Sequence, residues 1–128
     1  MLAVEDEPLT ATVVQNAIKV LGFETIGPVD DRNDALALAS VGEFDCAILD
    51  VNIRGGDSYD VADLLLDRGR PFVLATGYSE WSSPHRLVGA KRLTKPYTQR
   101  QLEDELRLMH ERVQGLTRAP RKSDENGD

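Results

Sequence analysis

Short apolar runs alternate with longer amphipathic stretches along this chain. Leu2-Ala3-Val4 predicts a first strand. Pro8 suits the first turn of a helix whose apolar positions, Val13, Val14, Ala17, Ile18 and Leu21, recur at helical spacing until Gly22. Phe23 to Val29 predicts a second strand, weakened by Gly27 and Pro28. The polar stretch Asp30 to Asn33 can cap a short second helix through Ala35, Leu36, Leu38 and Ala39, closed near Gly42. Asp45 to Leu49 predicts a third strand. Its apolar run lacks alternation, as in a strand of a parallel sheet covered on both faces. Ser58 is placed to cap a third helix through Tyr59, Val61, Ala62, Leu64 and Leu65, ending at Gly69. Pro71 to Ala75 predicts a fourth strand, and Gly77 breaks it. Ser79 to Val88 predicts a poor fourth helix, interrupted by Pro84 and by Ser79, Ser82 and Ser83. Ala90 to Thr94 predicts a weak fifth strand. Thr98 and Gln101 form a capping box, and Leu102, Leu106, Met109 and Val113 then mark one face of the last and clearest helix.

Strand and helix thus alternate five times. That order predicts an α/β, doubly wound fold: a parallel sheet with helices on both faces. One domain is expected over residues 1–114. The stretch 115–128 is expected to be a polar, disordered tail or linker.

Composition narrows the classes. The chain of 128 residues is 41% hydrophobic, which fits one domain with one core. Its net charge of -7 argues against binding nucleic acid through a basic surface. No apolar stretch approaches the roughly 20 residues of a membrane-spanning helix. No secretory leader is visible, so a soluble, cytoplasmic protein is the expectation. Cys46 is the only cysteine and reads as a small buried hydrophobe. His85 and His110 read as solvated surface residues.

The strand ends carry the chemistry. Glu5 and Asp6 follow the first apolar run, and Asp50 follows the third. Thr76 follows the fourth, and Lys95 the fifth. In open sheets of this kind, ligands bind outside the carboxyl ends of the strands. Three carboxylates at one rim repel each other unless a proton or a cation intervenes. Magnesium suits them, because it prefers oxygen ligands and keeps several waters. Asp6 and Asp50 are the expected direct ligands. Glu5 is expected to act through a metal-bound water, and the backbone carbonyl of Asn52 to supply another oxygen. Asp50 could then attack phosphorus as a nucleophile, with Lys95 and Thr76 meeting the phosphoryl oxygens. Each residue alone has a plainer reading: a helix-dipole partner, a turn former, a surface lysine. The order of all five is the specific signal.

Those segments, Val4-Glu5-Asp6-Glu7-Pro8, Ile48-Leu49-Asp50-Val51-Asn52, Ala75-Thr76-Gly77 and Lys95-Pro96, resemble the receiver domain of two-component response regulators. The resemblance covers roughly Leu2 to Val113. It implies a flavodoxin-like (βα)5 fold with strand order 2-1-3-4-5. It implies Asp50 as phosphoacceptor, Glu5 and Asp6 as the acidic metal pocket, Thr76 as the switch hydroxyl and Lys95 as the phosphate-contacting lysine. A cis Lys95–Pro96 bond is implied as well. The expected donor is a sensor histidine kinase or a histidine phosphotransfer protein. The expected output surface is the face of the fourth helix, fifth strand and fifth helix. The protein would be a timed switch rather than a turnover enzyme.

Pro71-Phe72-Val73-Leu74-Ala75-Thr76-Gly77-Tyr78 is similar to the signature of the FAT GUY receivers, a subfamily often served by kinases of the HWE type. One departure stands out. The aromatic residue usual three positions before the lysine is replaced by Arg92, and Tyr78 is a candidate substitute. Trp81 reads as a surface or interface residue. Phosphorylation is expected to order Gly77 to Val88. An alternative reading is a pseudo-receiver, an unphosphorylated binding module. A phosphohydrolase is disfavoured, because Asn52 stands where such enzymes carry a second acid, and the 128 residues leave no room for the cap domain they usually need.

Overall fold

In chain order the elements are β1 (Leu2–Val4), α1 (Pro8–Val20), β2 (Ile26–Val29), α2 (Arg32–Val41), β3 (Ala47–Asp50), β4 (Asn52–Ile53), β5 (Gly56–Asp57), α3 (Tyr59–Asp67), β6 (Phe72–Thr76), a 3-10 turn (His85–Leu87), β7 (Lys91–Thr94) and α4 (Gln99–Lys122). The computed structural model describes residues 1–77, 85–87 and 89–122, and the backbone alone for 85 and 116–122. Tyr78, Trp81 and most of the expected fourth helix lie outside the described residues, as does most of the segment expected to order on phosphorylation. The described end of that helix, His85–Leu87, is a 3-10 turn.

Five strands pair in the order β2-β1-β3-β6-β7, and every pairing is parallel. This is the expected 2-1-3-4-5 order. Two cores lie on opposite faces of the sheet. Leu2, Val4, Leu49, Val51 and Leu74 face Ala35 and Ala39 of α2 and Val61, Ala62 and Leu65 of α3. Ala3, Ile48, Val73 and Leu93 face Val14, Ala17 and Ile18 of α1 and Leu102, Leu106 and Met109 of α4. The switch of neighbours along each strand is the period-2 alternation of side chains. Cys46 is buried on the second face, and burial pushes its thiol up to about 11, so it stays an unreactive hydrophobe.

The helix starts follow local hydrogen-bonding logic. Glu7 caps α1 by accepting from the Thr10 N–H at 2.8 Å, and Pro8 follows at the first helical position. Asp31 accepts from the N–H groups of Asn33 and Asp34 at the start of α2. Thr98 and Gln101 make the reciprocal capping box expected of them.

Several expectations need correction. Ser58 does not cap α3; Asp57 accepts from the Tyr59 N–H at 3.1 Å instead. The second strand begins at Ile26, because the backbone of Phe23 closes the end of α1 by donating to the Ile18 carbonyl at 3.1 Å, while its ring stacks on His110 with centroids 4.2 Å apart. His110 is therefore a packing partner and not a freely solvated side chain. The last helix continues to Lys122, into the stretch expected to be a tail. Polar residues that follow a well-capped helix can prolong it along a solvated face. A hairpin, β4 with β5, was not foreseen. Gly55 and Gly56 turn it with φ of 94° and 139°, values that glycine alone adopts without strain. The peptide bonds Lys95–Pro96, as expected, and Gly27–Pro28 are cis.

Candidate functional site

Alternation along the strands aims the site. Ala3, Ile48 and Leu93 all point into the core beneath α1 and α4. Glu5, Asp50 and Lys95 each stand two residues further on, so their side chains emerge on the same face at the carboxyl rim. The backbone is still laddered there: the Glu5 N–H donates to the Val29 carbonyl at 2.9 Å and the Lys95 N–H to that of Thr76 at 2.8 Å.

These side chains meet. Lys95 Nζ donates to Asp50 Oδ1 at 2.8 Å and lies 3.9 Å from Glu5 Oε1. Glu5 and Asp50 are buried, at 3% and 4% exposure, so neither charge is well hydrated. Glu5 Oε2 accepts from the Glu7 N–H at 3.1 Å. Asp6 is half-buried beside them. One carboxylate oxygen from each of Glu5, Asp6 and Asp50 lies within 4.8 Å of the others. Burial, then the Asp50 charge, pushes Glu5 up to about 8. Burial also raises Asp50, opposed by Lys95. Burial thus favours the neutral form of Glu5 while no cation is bound.

The donor set fits a small hard cation. An ion with oxygens about 2.1 Å away holds opposite ligands about 4.2 Å apart. Three carboxylate oxygens with the observed spacing can share one such ion, with water completing its shell. Among the described residues this acidic group is the one cluster with metal-binding spacing.

The structure brings together Glu5, Asp6, Asp50 and Lys95. Thr76 is buried at the end of the adjacent strand, at 3% exposure. Its hydroxyl donates to the Gly77 carbonyl at 3.1 Å, so its proton is committed away from Asp50. Asn52 is exposed and opens β4, in register with Asp57. Arg92 is exposed on β7, the edge strand.

Two further residues bear on this site. The Ser58 hydroxyl donates to the Asp50 carbonyl at 2.7 Å, in full burial. Tyr97 packs against the core beneath α1 and α4, its hydroxyl is closed to solvent, and the charges of Glu5 and Asp50 add to burial in raising the phenol. Sequence reasoning gave Ser58 another role and passed over Tyr97. The available signal for Tyr97 was a phenol two residues beyond the site lysine.

Comparison with known proteins agrees with this geometry. The model of the response regulator receiver domain matches residues 1–107. The solution structure of SdrG from Sphingomonas melonis Fr1 is 42% identical, with TM-score 0.72, over 84% of this chain and 92% of that one. A CheY-like receiver from Methanospirillum hungatei JF-1 has TM-score 0.76 at 20% identity, over 89% of this chain and 95% of that one, and shares the fold. The transcriptional regulatory protein PdtaR of Mycobacterium tuberculosis is 28% identical over 91% of this chain. The chain spans 59% of the length of that relative. No described helix is long and apolar enough to cross a membrane. With five parallel strands in receiver order and an acid–lysine cluster at their carboxyl ends, the chain belongs to the response regulator receiver domain family.

Proposed function

We propose that the chain is a phosphorylatable receiver that accepts a phosphoryl group on Asp50. The observation that carries this reading is the 2.8 Å contact of Lys95 Nζ with Asp50 Oδ1 inside the three-carboxylate cluster. A carboxylate oxygen of Asp50 attacks phosphorus while the bond to a histidine imidazole of the donor breaks. The departing imidazole takes up a proton. Lys95 turns from Asp50 to an oxygen of the transferred group, and the Thr76 hydroxyl leaves Gly77 for another. Water later hydrolyses the acyl phosphate and restores Asp50.

Glu5, Asp6 and Asp50 would hold magnesium, with the Asn52 carbonyl as a further oxygen. Bound there, the ion neutralises the carboxylates and the incoming phosphate. SdrG, at 42% identity, has a BeF3-activated conformation, which supports the same response here.

A sensor histidine kinase, of HWE type if the FAT GUY resemblance holds, or a histidine phosphotransfer protein would supply the phosphoryl group. Output would pass to a protein partner at the face of β7 and α4 and the segment before β7. On β7, Lys91 pairs with Glu105 of α4 at 3.5 Å, and Arg92 is exposed. Acetyl phosphate with magnesium tests the function. Labelling of the wild type and none of Asp50→Ala is expected. Equal labelling of both overturns the acceptor assignment, and no labelling of either favours the unphosphorylated binding module.

A further inference from the structure

Tyr97 carries a hydroxyl that its surroundings do not explain. The ring packs against the core beneath α1 and α4. The hydroxyl oxygen is shut off from solvent and has no hydrogen-bond partner among the described residues. Burial raises the phenol to about 12, followed by the charges of Glu5 and Asp50. Its proton therefore stays in place at any ordinary pH. A buried donor without an acceptor is destabilising, and a phenylalanine would fill the same space without that penalty.

The placement of the ring narrows the choice of acceptor, since the charges of Glu5 and Asp50 both act on the phenol. Ala3 packs in the same core as Tyr97, and Glu5 stands two residues beyond Ala3 on that face of the sheet. Ile48 and Asp50 repeat the relationship. Tyr97 itself lies just past Lys95, whose ammonium is 3.9 Å from Glu5 Oε1. The hydroxyl is thus a buried donor in the core from whose strands Glu5 and Asp50 emerge. Of these, Glu5 is the one whose second oxygen is already fixed, by the Glu7 N–H.

We propose that Tyr97 is a positioning residue of the acidic pocket: its hydroxyl hydrogen-bonds the Glu5 carboxylate, directly or through one ordered water, and holds it toward Asp6 and Asp50 when the pocket takes up a divalent cation. The inference rests on the reading of the pocket as a magnesium site. It is independent of whether Asp50 is phosphorylated. Partners that orient metal-binding carboxylates commonly change affinity by tenfold or more when removed.

The test compares the full chain with Tyr97→Phe, which keeps the ring and deletes the oxygen. Magnesium binding is measured by calorimetry, and the unfolding midpoint is measured in chelator. The expected result is a roughly tenfold weaker magnesium affinity in the variant, with a metal-free midpoint equal to or above that of the wild type. Equal affinities overturn the proposal and leave Tyr97 as a packing residue. A metal-free midpoint that falls together with affinity also overturns it, since a purely structural role produces that pattern. Beryllofluoride is added to the wild type in parallel. Magnesium binding without a beryllofluoride response sinks the phosphoacceptor reading alone and leaves the Tyr97 comparison intact.

Discussion

The hydroxyl of Ser58 donates to the backbone carbonyl of Asp50 at 2.7 Å, in a position closed to solvent. The Ser58 N–H reaches back to the Val51 carbonyl at 2.9 Å. Ser58 therefore staples the strand end that carries Asp50 to the start of α3. Ser58→Ala leaves a buried carbonyl without that partner. It is expected to destabilise the fold by about 1–3 kcal/mol. Urea unfolding should show a lower midpoint with an unchanged slope. An unchanged midpoint would remove the staple from the account.

Lys95→Met separates cation binding from phosphoryl uptake. The substitution deletes a positive charge 2.8 Å from Asp50 and 3.9 Å from Glu5. Magnesium should bind at least as tightly as in the wild type. Uptake from acetyl phosphate should fall roughly a hundredfold, since a charged donor aimed at the transferred group is lost. Loss of magnesium binding together with uptake would mean that Lys95 only holds the pocket in shape.

Stability should depend on pH in a direction set by Glu5. Its folded value of about 8 lies above the ordinary glutamate value of 4.5, so between these values the folded chain binds a proton that the unfolded chain has released. This contribution is complete below about pH 4.5 and is lost as pH rises toward 8. The raised value of Asp50 acts in the same direction. Thermal midpoints in chelator should decline across that window, and less so in Glu5→Gln. Magnesium should flatten the decline, because the ionised carboxylates bind it. A flat profile in chelator would contradict the burial of Glu5.

Leu106 is fully buried and fastens α4 to the sheet. Leu106→Ala should destabilise by about 2–5 kcal/mol. Circular dichroism during denaturation checks this. A loss under about 1 kcal/mol would mean that α4 collapses onto the gap.

Much of this molecule was legible because its signals are periodic. Ala47 to Asp50 and Phe72 to Thr76 are buried throughout, as unbroken apolar runs require in a sheet covered on both faces. The placement of Glu5, Asp50 and Lys95 at strand ends followed from the same alternation. The illegible features depend on single contacts. The two-residue strands β4 and β5 are too short to show a period. The ring of Phe23 stacks on His110, 87 positions away by their residue numbers, a pairing that no local pattern displays. Ser58 and Asp57 are both good caps by residue type, and only the fold decides which one bonds outward. The Tyr97 hydroxyl has its interest in what it does not touch, which no pattern of residues displays.

The hairpin β4–β5 does more than close a gap in the chain. Its Arg54 carbonyl accepts from the Arg32 N–H at 2.9 Å, Arg54 reaches Asp30 at 3.2 Å, and Arg32 also pairs with Asp60 of α3. The residues directly after Asp50 are thus moored at the start of α2, which Arg32 in turn ties to the start of α3. A rearrangement of that loop cannot remain a private event of β3. It would pull on two helix starts on the face of the sheet opposite α1 and α4, so that phosphorylation of Asp50, as proposed, would be felt at a surface remote from the edge strand that bears Arg92.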